Sequence, residues 1–373
     1  MRTGPPPQPS PASRGGKGGG WPRTDFVELL GISHPIVQAP MPGFTTPALA
    51  AAVCNAGGLG SIGCATLPTA AIREQVAAVR QATNRPFNLN FFVHAPPVAA
   101  PEATARVRAR LAAYFAEFGL GSVPEPSEPF ASFDEDRLDV IRELRPRVVS
   151  FHFGLPWAAA VRQIKEAGCA IMSSATTVAE ARSLEAGGAD VVIAQGFEAG
   201  GHRGSFSESP GAGMVGTMAL VPQIVDAVRV PVIAAGGIAD GRGIAAAFAL
   251  GASGVQLGTA FLGCPETAVP PLYRARLRAA TDDATEVTRA FTGRPARAIR
   301  NRFVAEMGEA ETLDFPLQAS LAGPLWQVAD ETARAQLMPV WAGQAVALLR
   351  ELPAGQLVER MAAEAQLVLP QST

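Results

Sequence analysis

Eight short apolar runs punctuate the chain after residue 25, at 36–39, 59–62, 87–91, 148–151, 170–173, 191–194, 232–235 and 255–257. Most are continuous rather than alternating, the pattern of a strand buried on both faces in a parallel sheet covered by helices, and the third carries Asn88 and Asn90 inside the run. Segments with helical spacing of apolar positions lie between them, at 69–82, 102–118, 157–167, 178–186 and 243–250. Eight β-α alternations in succession predict an α/β fold, a (β/α)8 TIM barrel over residues 25–263. The stretch 96–146 is too long for one crossover and must hold extra helices. Residues 264–373 show no strand pattern and predict a smaller, mainly helical C-terminal lobe over the barrel mouth. Residues 1–24 open with Pro, Gly, Ser and Arg in low-complexity order and predict a disordered tail.

Composition narrows the picture. A chain of 373 residues has room for one barrel of about 250 residues plus an extra lobe. The formal charge of -2 and pI of about 6.2 argue against a nucleic-acid partner, which demands a basic face. Residues 29–72 carry no formal charge, but prolines, glycines and Asn55 break them too often for a membrane span. The four cysteines, Cys54, Cys64, Cys169 and Cys264, have no CxxC spacing, and the first 25 residues lack the apolar core of a secretory leader. A reduced, cytoplasmic setting is the expectation. No paired-cysteine or HExxH metal motif occurs, so no metal is expected.

Active groups of such a barrel sit on loops just after the strands. Pro40-Met41-Pro42-Gly43 follows the first run, and His94, His152 and His202 follow the third, fourth and sixth. A lone histidine is more often a packing residue; three on one rim favour chemistry, and imidazole ordinarily titrates near neutrality. Glycine-rich turns after the seventh and eighth runs, with Gly237, Gly258 and Thr259, match a phosphate site built from bare backbone N–H groups and helix N-termini. The chain has only two lysines, Lys17 and Lys165, so a lysine-free solution is the available one. The alternative is that these glycines only make tight turns. Asn90, Gln195 and Gln256 offer paired amide donors and acceptors that suit a flat heteroaromatic ring, although Gln256 may equally tie two strands together. Gly58-Leu59-Gly60-Ser61-Ile62-Gly63 fits GxGxxG, but it spans a predicted strand instead of opening a helix and reads as a packing turn.

Several segments resemble the nitronate monooxygenases, formerly called 2-nitropropane dioxygenases, especially the class I enzymes. They are His34-Pro35-Ile36-Val37-Gln38-Ala39-Pro40-Met41, Asn55-Ala56-Gly57-Gly58-Leu59-Gly60, Ser150-Phe151-His152-Phe153-Gly154, residues 194–204 and 234–243, Gln256-Leu257-Gly258-Thr259-Ala260 and Trp341-Ala342-Gly343-Gln344. The resemblance implies an FMN-bearing barrel with a C-terminal lobe that contributes to the substrate pocket. It implies flavin contacts at Asn90, Gln195, Gly200, Gly237, Gln256, Gly258 and Thr259. It implies a catalytic His202 in Gly-Gly-His-Arg-Gly, and a substrate pocket lined by His152 and Met41. The implied reaction is oxidation of an alkyl nitronate by O2 to a carbonyl compound and nitrite. Propionate 3-nitronate, a natural toxin, is the family's leading substrate, which implies detoxification. The chain departs from that pattern at 314–323, Asp-Phe-Pro-Leu-Gln-Ala-Ser-Leu-Ala-Gly, where the resemblance would place tyrosines and a lysine. Arg203 reads as a surface or supporting residue. The alternatives are an NAD(P)H-dependent quinone or enoyl reductase on the same FMN barrel, and a non-redox phosphosugar barrel. Oligomeric state is left open.

Overall fold

The computed structural model describes residues 20–98, 100–206 and 213–370; residues 1–19 of the predicted tail lie outside the described residues. Eleven strands are present among the described residues: β1 Ile36–Gln38, β2 Gly60–Gly63, β3 Phe87–Phe92, β4 Val148–His152, β5 Ala170–Ala175, β6 Val191–Gln195, β7 Gly201–His202, β8 Val232–Ala235, β9 Gly254–Leu257, β10 Thr285–Thr288 and β11 Ala296–Ile299. Eight of them form one parallel sheet in the order β1-β9-β8-β6-β5-β4-β3-β2. A bridge between Val37 and Leu59 joins its two edges, so the ring closes as a TIM-type barrel. These eight strands are the eight apolar runs.

The physical reason for continuous apolarity is visible in the burial. Every residue of β2, β3, β5, β6 and β8 is buried, because one face meets the barrel interior and the other meets helices. Phe26, Val27 and Leu30 of the helix Asp25–Leu30 plug the interior against Val148, Val191 and Ile233. Outside the ring, Ile72, Val76 and Val79 of the helix Thr69–Ala82 pack on Ile62, Leu89 and Phe91. The Gly58–Gly63 motif is a packing device: a Cβ on Gly60 would lie 2.1 Å from the Ala50 carbonyl oxygen, so the helix Pro47–Asn55 approaches the strand at backbone contact.

Three expectations need correction. Residues 20–24 are not the end of a free tail, since Trp21 is buried and stacks on Phe248 with ring centroids 5.5 Å apart. The region after 263 does contain strands: β10 and β11 form an antiparallel hairpin, and β7 adds to its edge. Their polar composition (Thr-Glu-Val-Thr in β10) hid them from a search for apolar runs. The helix Ala354–Val368 leaves the lobe and returns to the barrel, packing Leu357, Val358 and Met361 among Ile244, Phe248 and Val53. The extra helices expected within 96–146 are Pro101–Glu117 and Glu135–Leu144. The first buries Val107, Leu111 and Phe115 against Phe291, Phe303 and Leu325, so the lobe draws on chain from both sides of the barrel's second half.

Candidate active site

A cavity of ≈ 360 Å³ opens at the C-terminal ends of the barrel strands. Met41, Asn90, His152, Gln195, Gly200, His202, Gly237, Gln256, Gly258 and Thr259 all line it. Residues scattered over 219 positions of sequence are gathered because each follows, or ends, a parallel strand whose C-terminus points to the same rim. His94 does not join them. It is buried behind the wall, edge-on to Phe315 at 5.0 Å, with its Nδ1 unpartnered.

The loop after β8 turns through two glycines in the left-handed region, Gly236 (φ 109°) and Gly237 (φ 73°). The following helix Gly241–Ala249 is capped by Asp240, whose carboxylate accepts from the N–H groups of Arg242 and Gly243, so its N-terminus is already satisfied. The N–H groups of Gly237, Ile238 and Ala239 donate to no acceptor among the described residues. The 3₁₀ turn Thr259–Gly263 after β9 has no side-chain cap. Two short loops thus present unpaired donors to the cavity, an arrangement suited to a phosphate dianion. The Thr259 hydroxyl accepts from Gly343 N–H at 2.9 Å and keeps its own proton for donation. Gly200 is required by close approach: a Cβ there would lie 2.5 Å from Ala342 C and Gly343 N.

The three amides behave differently. The Gln256 Oε1 is buried without a partner and faces this cavity, so a ligand donor would satisfy it. Asn90 donates through Nδ2 to Ser150 Oγ (2.9 Å) and O (3.2 Å). Gln195 is bonded within the chain at both polar atoms, donating to the His202 carbonyl at 3.0 Å and accepting from Gly204 N–H at 2.7 Å. It holds the histidine loop. The open N–H groups and the orphaned Gln256 oxygen fit a phosphorylated heteroaromatic cofactor such as FMN.

His202 sits in β7, where its backbone pairs with Ala296 of β11. Its Nε2 lies 2.9 Å from the Thr292 hydroxyl, and no protein group among the described residues bonds Nδ1. Rings of Phe315, Trp341, Phe153 and Phe92 surround it, with centroids 5.3, 5.5, 6.0 and 6.1 Å away. Burial pushes its pKa down to about 3, assisted by His152 and Arg294, so it is neutral at physiological pH and not poised near neutrality as its residue type suggests. His152 donates from Nε2 to the His202 carbonyl (3.1 Å), which obliges Nδ1 to accept from Ser174 Oγ (3.1 Å). Both its nitrogens are therefore occupied, and burial holds it neutral with a pKa of about 4.

Two groups, Thr292 and Arg294, escaped the sequence reading, and of the two readings offered for Arg203 the structure takes the supporting one. Thr292, in the turn between β10 and β11, was hidden with that hairpin. Arg203 is 2% exposed rather than on the surface, and donates to the carbonyls of Gln195, Gly196 and Gly213. Arg294 lies 3.8 Å over the Phe153 ring and donates to the Ser205 carbonyl. Lys165 pairs with Asp190 at 2.8 Å on an outer helix, away from the cavity wall. The described residues contain no cluster of metal-ligating side chains, and none of their helices is long and apolar enough to cross a membrane.

Residues 23–364 match the family model described as nitronate monooxygenase. A nitronate monooxygenase of Pseudomonas aeruginosa is 44% identical over 347 residues, covering 91% of this chain and 98% of that protein. The nitroalkane oxidase structure from Streptomyces ansochromogenes superposes with a TM-score of 0.83 at 40% identity, covering 91% of this chain and 97% of that one. FabK from Thermotoga maritima follows with a TM-score of 0.72 at 34% identity, covering 93% and 97%. A barrel of this closure, with matches running through nearly all of its length, places the chain in the nitronate monooxygenase family.

Proposed function

We propose that this chain oxidises alkyl nitronates with O2, using FMN, to a carbonyl compound and nitrite. The observation that carries the reading is the cavity itself, where unpaired backbone donors, an orphaned amide oxygen and a neutral imidazole share one wall. Gly237, Gly258 and Thr259 would hold the cofactor phosphate, and Asn90, Gln256 and Gly200 would contact its ring. Bound FMN supplies the redox chemistry. The protein supplies position and field. In the tautomer this role requires, the Thr292 hydroxyl gives its proton to His202 Nε2 at 2.9 Å in preference to the Arg294 carbonyl at 3.5 Å, which leaves Nδ1–H to donate to the nitronate oxygen. Gln195 and His152 fix the His202 backbone from two sides through its carbonyl. The barrel (25–263) carries the cofactor site and the following segment closes the pocket over it.

The test is the absorbance spectrum of the purified protein, followed by nitrite release from the nitronate of nitroethane under air. A colourless protein that releases no nitrite refutes the proposal. An NAD(P)H-dependent quinone or enoyl reductase on the same barrel is separated by anaerobic mixing with NADH, where rapid bleaching of a bound flavin would favour the reductase.

A further inference from the structure

The cavity wall is sorted by charge in a way the reaction alone does not require. No lysine or arginine is among its lining residues. Residues 207–212, outside the described set, contain none either. The acidic side chain in the wall is Glu198, whose carboxylate is fixed by Thr217 N–H (2.9 and 3.0 Å) and the Thr217 hydroxyl (2.8 Å). Around His202 the surface is mostly carbon, from Phe92, Phe130, Trp326, Trp341 and Ala319, and the indole Nε1–H of Trp326 is a buried donor without a partner. Beside Ala319, Gln318 is the residue whose amide might have received a polar tail. It is fully buried and committed, accepting from Leu313 N–H at 3.1 Å and donating to the Ala290 carbonyl at 3.0 Å. Arg294 is outside the lining set, with its guanidinium 3.8 Å over the Phe153 ring and donating to the Ser205 carbonyl. It contributes positive potential to the histidine end but no donor at the cavity surface.

We infer that the substrate selected here is a nitronate whose only charge is on the nitro-bearing end, with an alkyl or aryl tail, and that a second anionic group on the tail is selected against. This deepens the proposed nitronate oxidation and rests on it. A carboxylate on the tail would shed its water against aromatic carbon and find a neutral indole N–H but no lysine or arginine of the lining in exchange, whereas an apolar tail gains from the same burial. Each methylene taken out of water corresponds to about a fourfold gain in kcat/KM.

An isosteric pair tests this directly. Propionate 3-nitronate and the nitronate of 1-nitro-3-methylbutane differ in having a carboxylate or an isopropyl group at the tail end. The expected result is a kcat/KM at least about tenfold higher for the isopropyl compound. Equal or faster turnover of propionate 3-nitronate overturns the inference and leaves nitronate oxidation standing. Turnover of neither refutes nitronate oxidation, and the substrate assignment with it. Calorimetric titration of the holoprotein with the unreactive carboxylates 4-methylpentanoate and succinate gives a readout independent of turnover. Tighter binding of 4-methylpentanoate by about tenfold is expected, and equal or tighter binding of succinate overturns the assignment.

Discussion

Thr292→Val removes one hydroxyl from the site and little else. Thr292 is 5% exposed, valine matches its shape, and the lost contacts are the 2.9 Å hydrogen bond to His202 Nε2 and a long 3.5 Å one to the Arg294 carbonyl. A neutral hydrogen bond of this kind contributes about 1 kcal/mol net, and leaving its buried partner unsatisfied costs about 1–3 kcal/mol. The imidazole also loses the group that selects its tautomer, so a fraction of molecules would present a bare Nδ1 instead of a donor. A penalty of about 1–3 kcal/mol appearing in the transition state corresponds to a fall in kcat of about 5- to 150-fold. The melting temperature should drop only by a few degrees. Thr292→Ser retains the hydroxyl and should recover most of the activity. The assay is steady-state nitrite release at several nitronate concentrations, with the visible flavin spectrum as a control for cofactor retention. Valine and serine variants that both match the native kcat within about twofold would remove Thr292 from the mechanism.

Other substitutions probe the remaining parts of the site. His202→Asn should keep the yellow colour of bound flavin while lowering turnover at least about 10²-fold, the lower bound for a positioned acid-base group; native kinetics would dismiss His202 from its role. Gly200→Ala drives a Cβ to 2.5 Å from the backbone of Ala342 and Gly343, so it should lower the melting temperature and release flavin together. Gly258→Ala meets only Ala39 Cβ at 3.5 Å and Met41 Sδ at 3.9 Å, so it should fold normally and lose flavin affinity alone, read by fluorescence titration. The buried histidines give stability a pH dependence. His152 (about 4) and His202 (about 3) sit below the ordinary 6.5, so between those values the unfolded chain binds protons that the native state does not. Stability is therefore full above about pH 6.5 and falls as pH drops towards 4. Melting curves at pH 7 and pH 5 should show this loss, and His202→Asn should reduce it; an identical melting temperature at both would contradict the neutral assignment.

The barrel was legible in the sequence because a strand buried on both faces is apolar at nearly every position, and 191–194 can scarcely be read otherwise; 87–91 is the exception, since its buried Asn88 and Asn90 donate to Ser150. The glycine turns and His202 were legible because strand order fixes which loops share the barrel's C-terminal rim. The charge state of His202 was not, because a pKa of about 3 comes from burial among rings contributed by Phe92, Phe153, Phe315 and Trp341, which are distant in sequence. Gln195 and His152 look like free ligand contacts in sequence, yet Gln195 bonds the His202 loop through both its nitrogen and its oxygen, and His152 bonds the His202 carbonyl and Ser174 of β5.

Local periodicity thus determined the ring of strands, since hydrophobic burial acts on each strand separately and leaves a signature within a few residues. Tertiary packing alone decided the orientation of His202, by adding β7 to the β10–β11 hairpin and setting Thr292 against Nε2. It likewise decided the apolar character of the pocket wall. Hydrogen bonds and desolvation depend on which side chains meet across a hundred or more residues, and no short window of sequence contains that information.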